Sequence, residues 1–253
     1  MTLRRALRIS APITGVLLFA NAILGLYITP PDKVQGNLAR MLYIHPAVAW
    51  VAYLAFGVTT IGSLLYLWKA TRSLRWDRIA FVSAEVGVLF TALTLITGSI
   101  WGRPAWGVWW TWDARLTSTA ILLLLYLGYL ALRGLPSSAE TRAKRSAIVG
   151  IVSFIDVPIV HESVIWWRTL HQGPTVASLG MNSKIHGIMA WTLLLSFIAF
   201  TLLFVTLFLW RYRLALQEAE RDQILVDMRK LDVTGSSTRS TVEEPLSTRP
   251  VEG

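Results

Sequence analysis

At 253 residues, 54% hydrophobic and 15% charged, with a mean hydropathy of +0.51, the chain gathers its apolar residues into long runs instead of amphipathic faces, which excludes an ordinary soluble domain. A formal net charge of +9 raises the question of nucleic acid, but the Lys and Arg residues fall in short clusters beside the apolar runs and form no single stripe, which excludes an extended basic groove. Cysteine is absent, which excludes a disulfide, a thiolate metal site, thioether attachment to this chain and thiol redox chemistry.

The apolar runs recur at about 18–23 residues, the length at which a helix crosses a ~30 Å hydrocarbon core. Met1 to Ser10 carries Arg4, Arg5 and Arg8, a basic start that stays cytoplasmic. Span one, Ala11 to Ile28, has no small-residue cleavage site after it and reads as a retained span. Thr29-Pro30-Pro31-Asp32 ends it, and the following segment to Ile44, with Lys33, Gln35, Asn37 and Arg40, is too polar for lipid and belongs outside. His45-Pro46 opens span two, with proline where its missing N–H does least harm, and the span runs to Trp68. His45 therefore stands at the outer membrane edge.

Lys69 to Arg78 reads as a basic inner loop, and span three, Ile79 to Ile100, leads outward with Glu85 inside it. Trp101 to Trp112 then holds five of the 12 tryptophans, Trp101, Trp106, Trp109, Trp110 and Trp112, and is followed by Asp113-Ala114-Arg115. No helical or strand period organises these indoles, and the glycines after Trp101 and Trp106 suit a tightly turning loop, taken as 101–117. Asp113 to Ser118 supplies capping groups for span four, which runs to Leu132. A second basic loop with Arg133, Arg142, Lys144 and Arg145 leads to span five, Ala147 to Trp166, which carries Asp156, Pro158 and, in its outer third, His161. An outer loop with His171 and His186 precedes span six, Ile188 to Trp210.

The expected architecture is thus an all-α membrane protein of six transmembrane helices over residues 1–210, with an outward tryptophan-rich loop between spans three and four. Residues 211–253 form a cytoplasmic tail, helical and amphipathic to about Lys230 and disordered after that on composition. On this topology only Lys33, Arg40, Arg103, Arg115, Arg168 and Lys184 of the 24 basic residues lie outside, so both termini are expected in the cytoplasm of a bacterial inner membrane. Glu85 is expected to reach Arg72, Arg75 or Arg78, and Asp156 to belong to a polar kink at Pro158.

All four histidines then share the outer side with the tryptophans. A single interfacial histidine usually satisfies itself with a hydrogen bond, but His45 and His161 sit at the outer ends of two different spans and could meet one bound object from two sides. Two imidazoles without a carboxylate cluster suit an iron that already carries four in-plane nitrogens, because bare zinc would want further ligands. The flat apolar porphyrin is also a partner for clustered indoles, with Arg103, Arg115 and indole N–H groups able to meet propionates. An interfacial aromatic belt would populate both membrane faces, whereas here nine tryptophans fall outside and only Trp68, Trp76 and Trp210 inside.

The run from Trp101 through Asp113-Ala-Arg115-Leu-Thr117 resembles the tryptophan-rich "WWD" signature of haem-handling proteins of cytochrome c biogenesis. With Tyr43-Ile44-His45 before it and Pro158-Ile-Val-His161 through Trp166-Trp167-Arg-Thr-Leu-His171-Gln172 after it, the chain is similar to the CcmC, haem exporter protein C, family over roughly Gly36 to Trp210. That resemblance implies a six-helix protein that holds non-covalent haem b at a periplasmic tryptophan domain and delivers it to the chaperone CcmE, beside the ABC transporter subunits CcmA and CcmB and the small subunit CcmD. It gives the axial iron positions to His45 and His161, and the cradle to Trp101, Trp106, Trp109, Trp110, Trp112, Asp113, Arg103 and Arg115. Membrane lipid is the other expected partner, and nucleic acid is not. A haem permease subunit and a haem–cytochrome c synthase are the competing readings; the first needs a polar path across the membrane, the second further spans and histidines. Delivery and presentation fit the chain better than classical enzyme catalysis.

Overall fold

The computed structural model describes residues 2–171, 185 and 187–242, with side chains described to residue 228. Among these residues regular structure is helical and no strand forms. α1 spans Leu3–Ile23 and is prolonged by a wider turn over Leu24–Ile28; a tight helical segment, Asn37–Tyr43, leads into α2, His45–Leu67. α3 spans Leu74–Trp106, α4 Ala114–Arg133, α5 Ala139–Phe154, α6 Asp156–Trp166 and α7 Gly187–Val242. With α5 and α6 counted as one crossing, six helical segments are long and apolar enough to span a membrane. The chain divides into two compact units, Met1–Tyr212 and Arg213–Gly253. The second is helical past Lys230 to Val242, and residues 243–253, where part of the expected disorder falls, lie outside the described residues, as does His186.

Several boundaries differ from the sequence expectation for identifiable reasons. Ser73 accepts from the Arg75 backbone N–H, so α3 starts five residues before the apolar run does. Ser138 does the same for Thr141, which places Arg142, Lys144 and Arg145 on α5 and not in a loop. The single expected span five is broken at Ile155, because Pro158 has no N–H to offer the Phe154 carbonyl one turn earlier. Asp156 stands at that break.

The largest correction concerns the tryptophan-rich stretch. α3 runs on through Trp106, so its first half is helix and only the residues between Gly107 and Asp113 are irregular. Gly102 hides the period: a Cβ there would come within 2.9 Å of the Trp106 ring, so the indole lies back over the glycine one turn earlier. Gly107 ends the helix at φ +81°, a left-handed conformation that glycine adopts without steric cost, and the Arg103 Nη1 donates to its carbonyl at 2.6 Å.

One apolar cluster joins α2, α3 and α7 through Val51, Ala52, Val86, Phe90 and Phe204. A second joins α2, α3, α4 and α6 through Phe56, Ala84, Leu122, Tyr126, Tyr129 and Val160. In lipid the hydrophobic effect does little to pair helices, and small polar side chains take over. α1 accordingly meets α7 through Thr14 with Thr206 at 2.9 Å and Asn21 with Ser196 at 2.7 Å, and Thr29, just beyond the wider turn, meets Thr192 at 3.0 Å. At the bundle end away from the tryptophans, α3 carries Asp77, Phe81 and Glu85 one turn apart. Asp77 takes a two-point contact from Arg133, and Glu85 pairs at 2.8 Å with Arg211, an arginine far along the chain from the Arg72, Arg75 and Arg78 expected for it. Both guanidiniums lie against Phe81, at 4.4 and 5.3 Å from its ring centre.

Candidate functional site

At the tryptophan end, a cavity opens among α2, α3, α4 and α6, lined by apolar residues such as Ala52, Leu95, Leu122 and Val160, by Tyr53 and the hydroxyls of Thr91, Thr94, Ser99 and Thr119, and by His45, Arg115 and His171. His45 is the first residue of α2, so its ring direction is set by a helix. Its Nδ1 lies 3.0 Å from the Thr97 Oγ1 on α3. The Thr97 hydroxyl already donates to the Leu93 carbonyl at 2.8 Å, so it can only accept from the ring. Nδ1 therefore carries the proton and Nε2 keeps a free lone pair. Gly98 makes room for this ring: a Cβ there would lie 3.1 Å from His45 Cε1.

His171 reaches the same state by a different route. Its Nδ1 lies 3.0 Å from the Asp113 Oδ2, a carboxylate that accepts, so Nδ1 again holds the proton and Nε2 again is free. Asp113 is tied by its other oxygen, which accepts from the Leu116 N–H at 2.8 Å and caps α4. Burial holds His171 below the ordinary imidazole range, against an upward pull from Asp113, so the ring is neutral at physiological pH. A neutral imidazole whose far nitrogen is fixed by a carboxylate is the arrangement by which proteins orient and strengthen a metal ligand.

The expected pair His45 and His161 is not the pair that shares the cavity. The His161 side chain is exposed on α6 and absent from the lining; its ring meets the edge of Tyr53 at 6.4 Å, and its backbone carbonyl accepts from Arg115 Nη2 at 2.8 Å. His171 stands 58 residues from Asp113, a pairing invisible to local spacing. Thr97 and Tyr53 likewise went unremarked in the sequence, since a threonine and a tyrosine inside apolar runs look like ordinary span residues.

The tryptophans divide by role. Trp101 packs edge-on against His45 at 5.8 Å and donates its indole N–H to Gln35 at 3.3 Å, while Trp106 packs edge-on against His171 at 4.7 Å. The two helical indoles thus each wedge one imidazole. Beyond Gly107, Trp110 meets Trp112 edge-on at 5.5 Å, and Trp109 and Trp112 are 60% and 78% exposed. Two buried N–H groups at this end, Trp110 Nε1 and Arg115 Nε, have no partner among the described residues. Arg103 is exposed and committed to the Gly107 carbonyl.

Comparison with known proteins matches residues 1–227 to the family described as CcmC, heme exporter protein C. The chain is 40% identical over 211 residues to heme exporter protein C of Haemophilus influenzae, covering 83% of this chain and 85% of that one. It is 41% identical over 212 residues to the protein of the same name from Bradyrhizobium diazoefficiens, covering 81% and 79%. A putative cytochrome c biosynthesis ccmC-like mitochondrial protein of Arabidopsis thaliana is 39% identical over 205 residues, covering 80% and 76%.

Proposed function

The chain belongs to the CcmC, heme exporter protein C, family, and from that premise we propose that it holds haem by its iron at the tryptophan end of the bundle and presents it to a CcmE-type chaperone. The observation that carries this reading is the pair of imidazoles on one cavity, each with Nδ1–H spent on a fixed acceptor and Nε2 left as a donor to metal. Iron in a porphyrin brings four nitrogens of its own, so two imidazoles complete it. Among the described residues no three His, Cys, Asp or Glu side chains gather to hold a bare ion.

His45 and His171 are the ligands this geometry favours, in place of the His45 and His161 expected from the motif. The apolar lining receives the ring, and the unpartnered N–H groups of Arg115 and Trp110 suit propionate oxygens. The chain has no cysteine for a thioether bond, which supports non-covalent haem b as the form held. The exposed Trp109 and Trp112 are the surface offered to the acceptor. The excess of basic residues at the other end supports a periplasmic tryptophan end and cytoplasmic termini in a bacterial inner membrane, and membership of the family supports CcmA, CcmB and CcmD as its companions there.

The test is spectroscopic. Protein purified with haem should show a low-spin, six-coordinate spectrum that His45→Ala and His171→Ala each abolish or turn high-spin, and that His161→Ala retains. A spectrum lost in His161→Ala and kept in His171→Ala restores the motif assignment. Haem-loaded wild type should then pass its haem to a CcmE-type acceptor; failure of that step alone would leave a haem-binding protein with another client.

A further inference from the structure

A second polar feature lies apart from the His45 and His171 cavity. Among the buried side-chain oxygens without a hydrogen-bond partner in the described residues, four fall on α4, α5 and the start of α6: Tyr129 OH, Ser146 Oγ, Ser153 Oγ and Asp156 Oδ2. Their residues are between 0 and 8% exposed. Native proteins leave few such atoms, because stripping a hydroxyl or carboxyl of water without replacing its hydrogen bond is costly. Serines and threonines inside helices usually avoid the cost by bonding the carbonyl one turn back, as Thr59, Ser63, Thr91 and Ser196 do here. Ser146 and Ser153 do not.

These four groups form a line. Ser146, Gly150 and Ser153 occupy the buried face of α5 at helical spacing, and Asp156 follows across the break at Ile155. Gly150 brings the other walls close: a Cβ at this position would lie 3.2 Å from both Ser63 Oγ on α2 and Tyr129 Cε2 on α4, and its carbonyl accepts from the Tyr126 hydroxyl at 3.1 Å. At one end the Tyr129 ring lies 5.9 Å from the Arg133 guanidinium, which is paired with Asp77. At the other end Val157 and Val160 pack in one cluster with Tyr53, a wall of the His45 cavity. The α2–α3–α7 cluster of Val51, Phe90 and Phe204 has no such atoms.

We propose that this line is a hydrated tract, in which a short chain of bound waters between α2, α4 and α5 joins Ser146, Tyr129, Ser153 and Asp156. A buried water makes two to four hydrogen bonds to groups otherwise unsatisfied, and these side chains supply both donors and acceptors at successive turns. Asp156 is the titratable member, so protons exchange with it along the waters. The tract uses neither of the cavity's histidines and is independent of the haem reading.

X-ray radiolysis converts bound water to hydroxyl radicals that oxidise the side chains beside it. With the full chain in lipid nanodiscs, mass spectrometry should find Tyr126 and Tyr129 oxidised severalfold faster than Phe90 and Phe204, which are equally buried. Ser146→Ala combined with Ser153→Ala should bring the Tyr129 rate down toward that of Phe90 and leave the exposed Tyr27 unchanged. A wild-type Tyr129 rate no higher than that of Phe90 means the tract is dry and overturns the proposal. A Tyr129 rate unaffected by removing both serines overturns it as well, because the serines then hold no water.

Discussion

The two ends of α3 put the same kinds of atoms to opposite use. At the Asp77 end both carboxylates of α3 are taken up: Arg133 closes on Asp77, Arg211 on Glu85, and Phe81 lies against both guanidiniums. At the Trp101 end polar groups are fixed on one side and left open on the other, with Nε2 of two histidines and N–H groups of Arg115 and Trp110 still available. A membrane helix can therefore be anchored by paired carboxylates at one end and kept receptive by half-paired groups at the other.

The contrast breaks most severely at its anchored end. Asp77→Ala leaves Arg133 buried without its carboxylate, in a pair whose side chains are each 9% exposed, and should cost about 3–5 kcal/mol; a lowered thermal midpoint in detergent checks this. At the receptive end, removal of either His45 or His171 should abolish six-coordinate haem with little change in that midpoint, because both side chains are held by single hydrogen bonds. Equal thermal losses at the two ends would erase the distinction.

Subtler substitutions sharpen it. Asp113→Asn keeps a cap for α4 but weakens the hold on His171, and should lower haem affinity roughly 10–100-fold by titration, the usual effect of losing a carboxylate behind a metal-bound histidine. Smallest is the change expected from Trp109→Ala or Trp112→Ala, about 1 kcal/mol of stacking each, with binding nearly intact and transfer to the acceptor reduced. Acidification adds a signed test. His171 in the folded chain takes up its proton at lower pH than free imidazole, so its neutral form contributes fully above the unfolded value of about 6.5 and is lost as pH falls below it toward the folded value. Haem affinity should be flat above that range and decline only beneath it, and Asp113→Asn should not move the decline to higher pH.

Sequence alone exposed the spans because hydropathy is a one-dimensional property, and it exposed the tryptophans because their density is. It failed where an interaction joins distant segments. Asp113 and His171 meet across 58 residues, and His45 and Thr97 across 52, so nothing near His171 marked it above His161. The helical half of the tryptophan stretch was hidden for a different reason: Gly102 and Gly107 both read as turn residues, yet only Gly107 breaks the helix, while Gly102 accommodates an indole and Pro104 is carried inside α3. Glu85 was placed with arginines close in sequence, although the Arg211 it pairs with lies within α7, 126 residues away.

Asp113 also fixes a length. From the left-handed Gly107, held by Arg103, to Asp113, held by α4 and His171, the backbone makes six Cα steps, which cannot exceed roughly 20 Å when fully drawn out. Trp109, Trp110 and Trp112 therefore ride a tether with both ends moored and a reach bounded by that length. An inserted residue would loosen that tether while leaving both moorings and both imidazoles in place, and so would vary the reach of the indoles without touching any residue that meets iron.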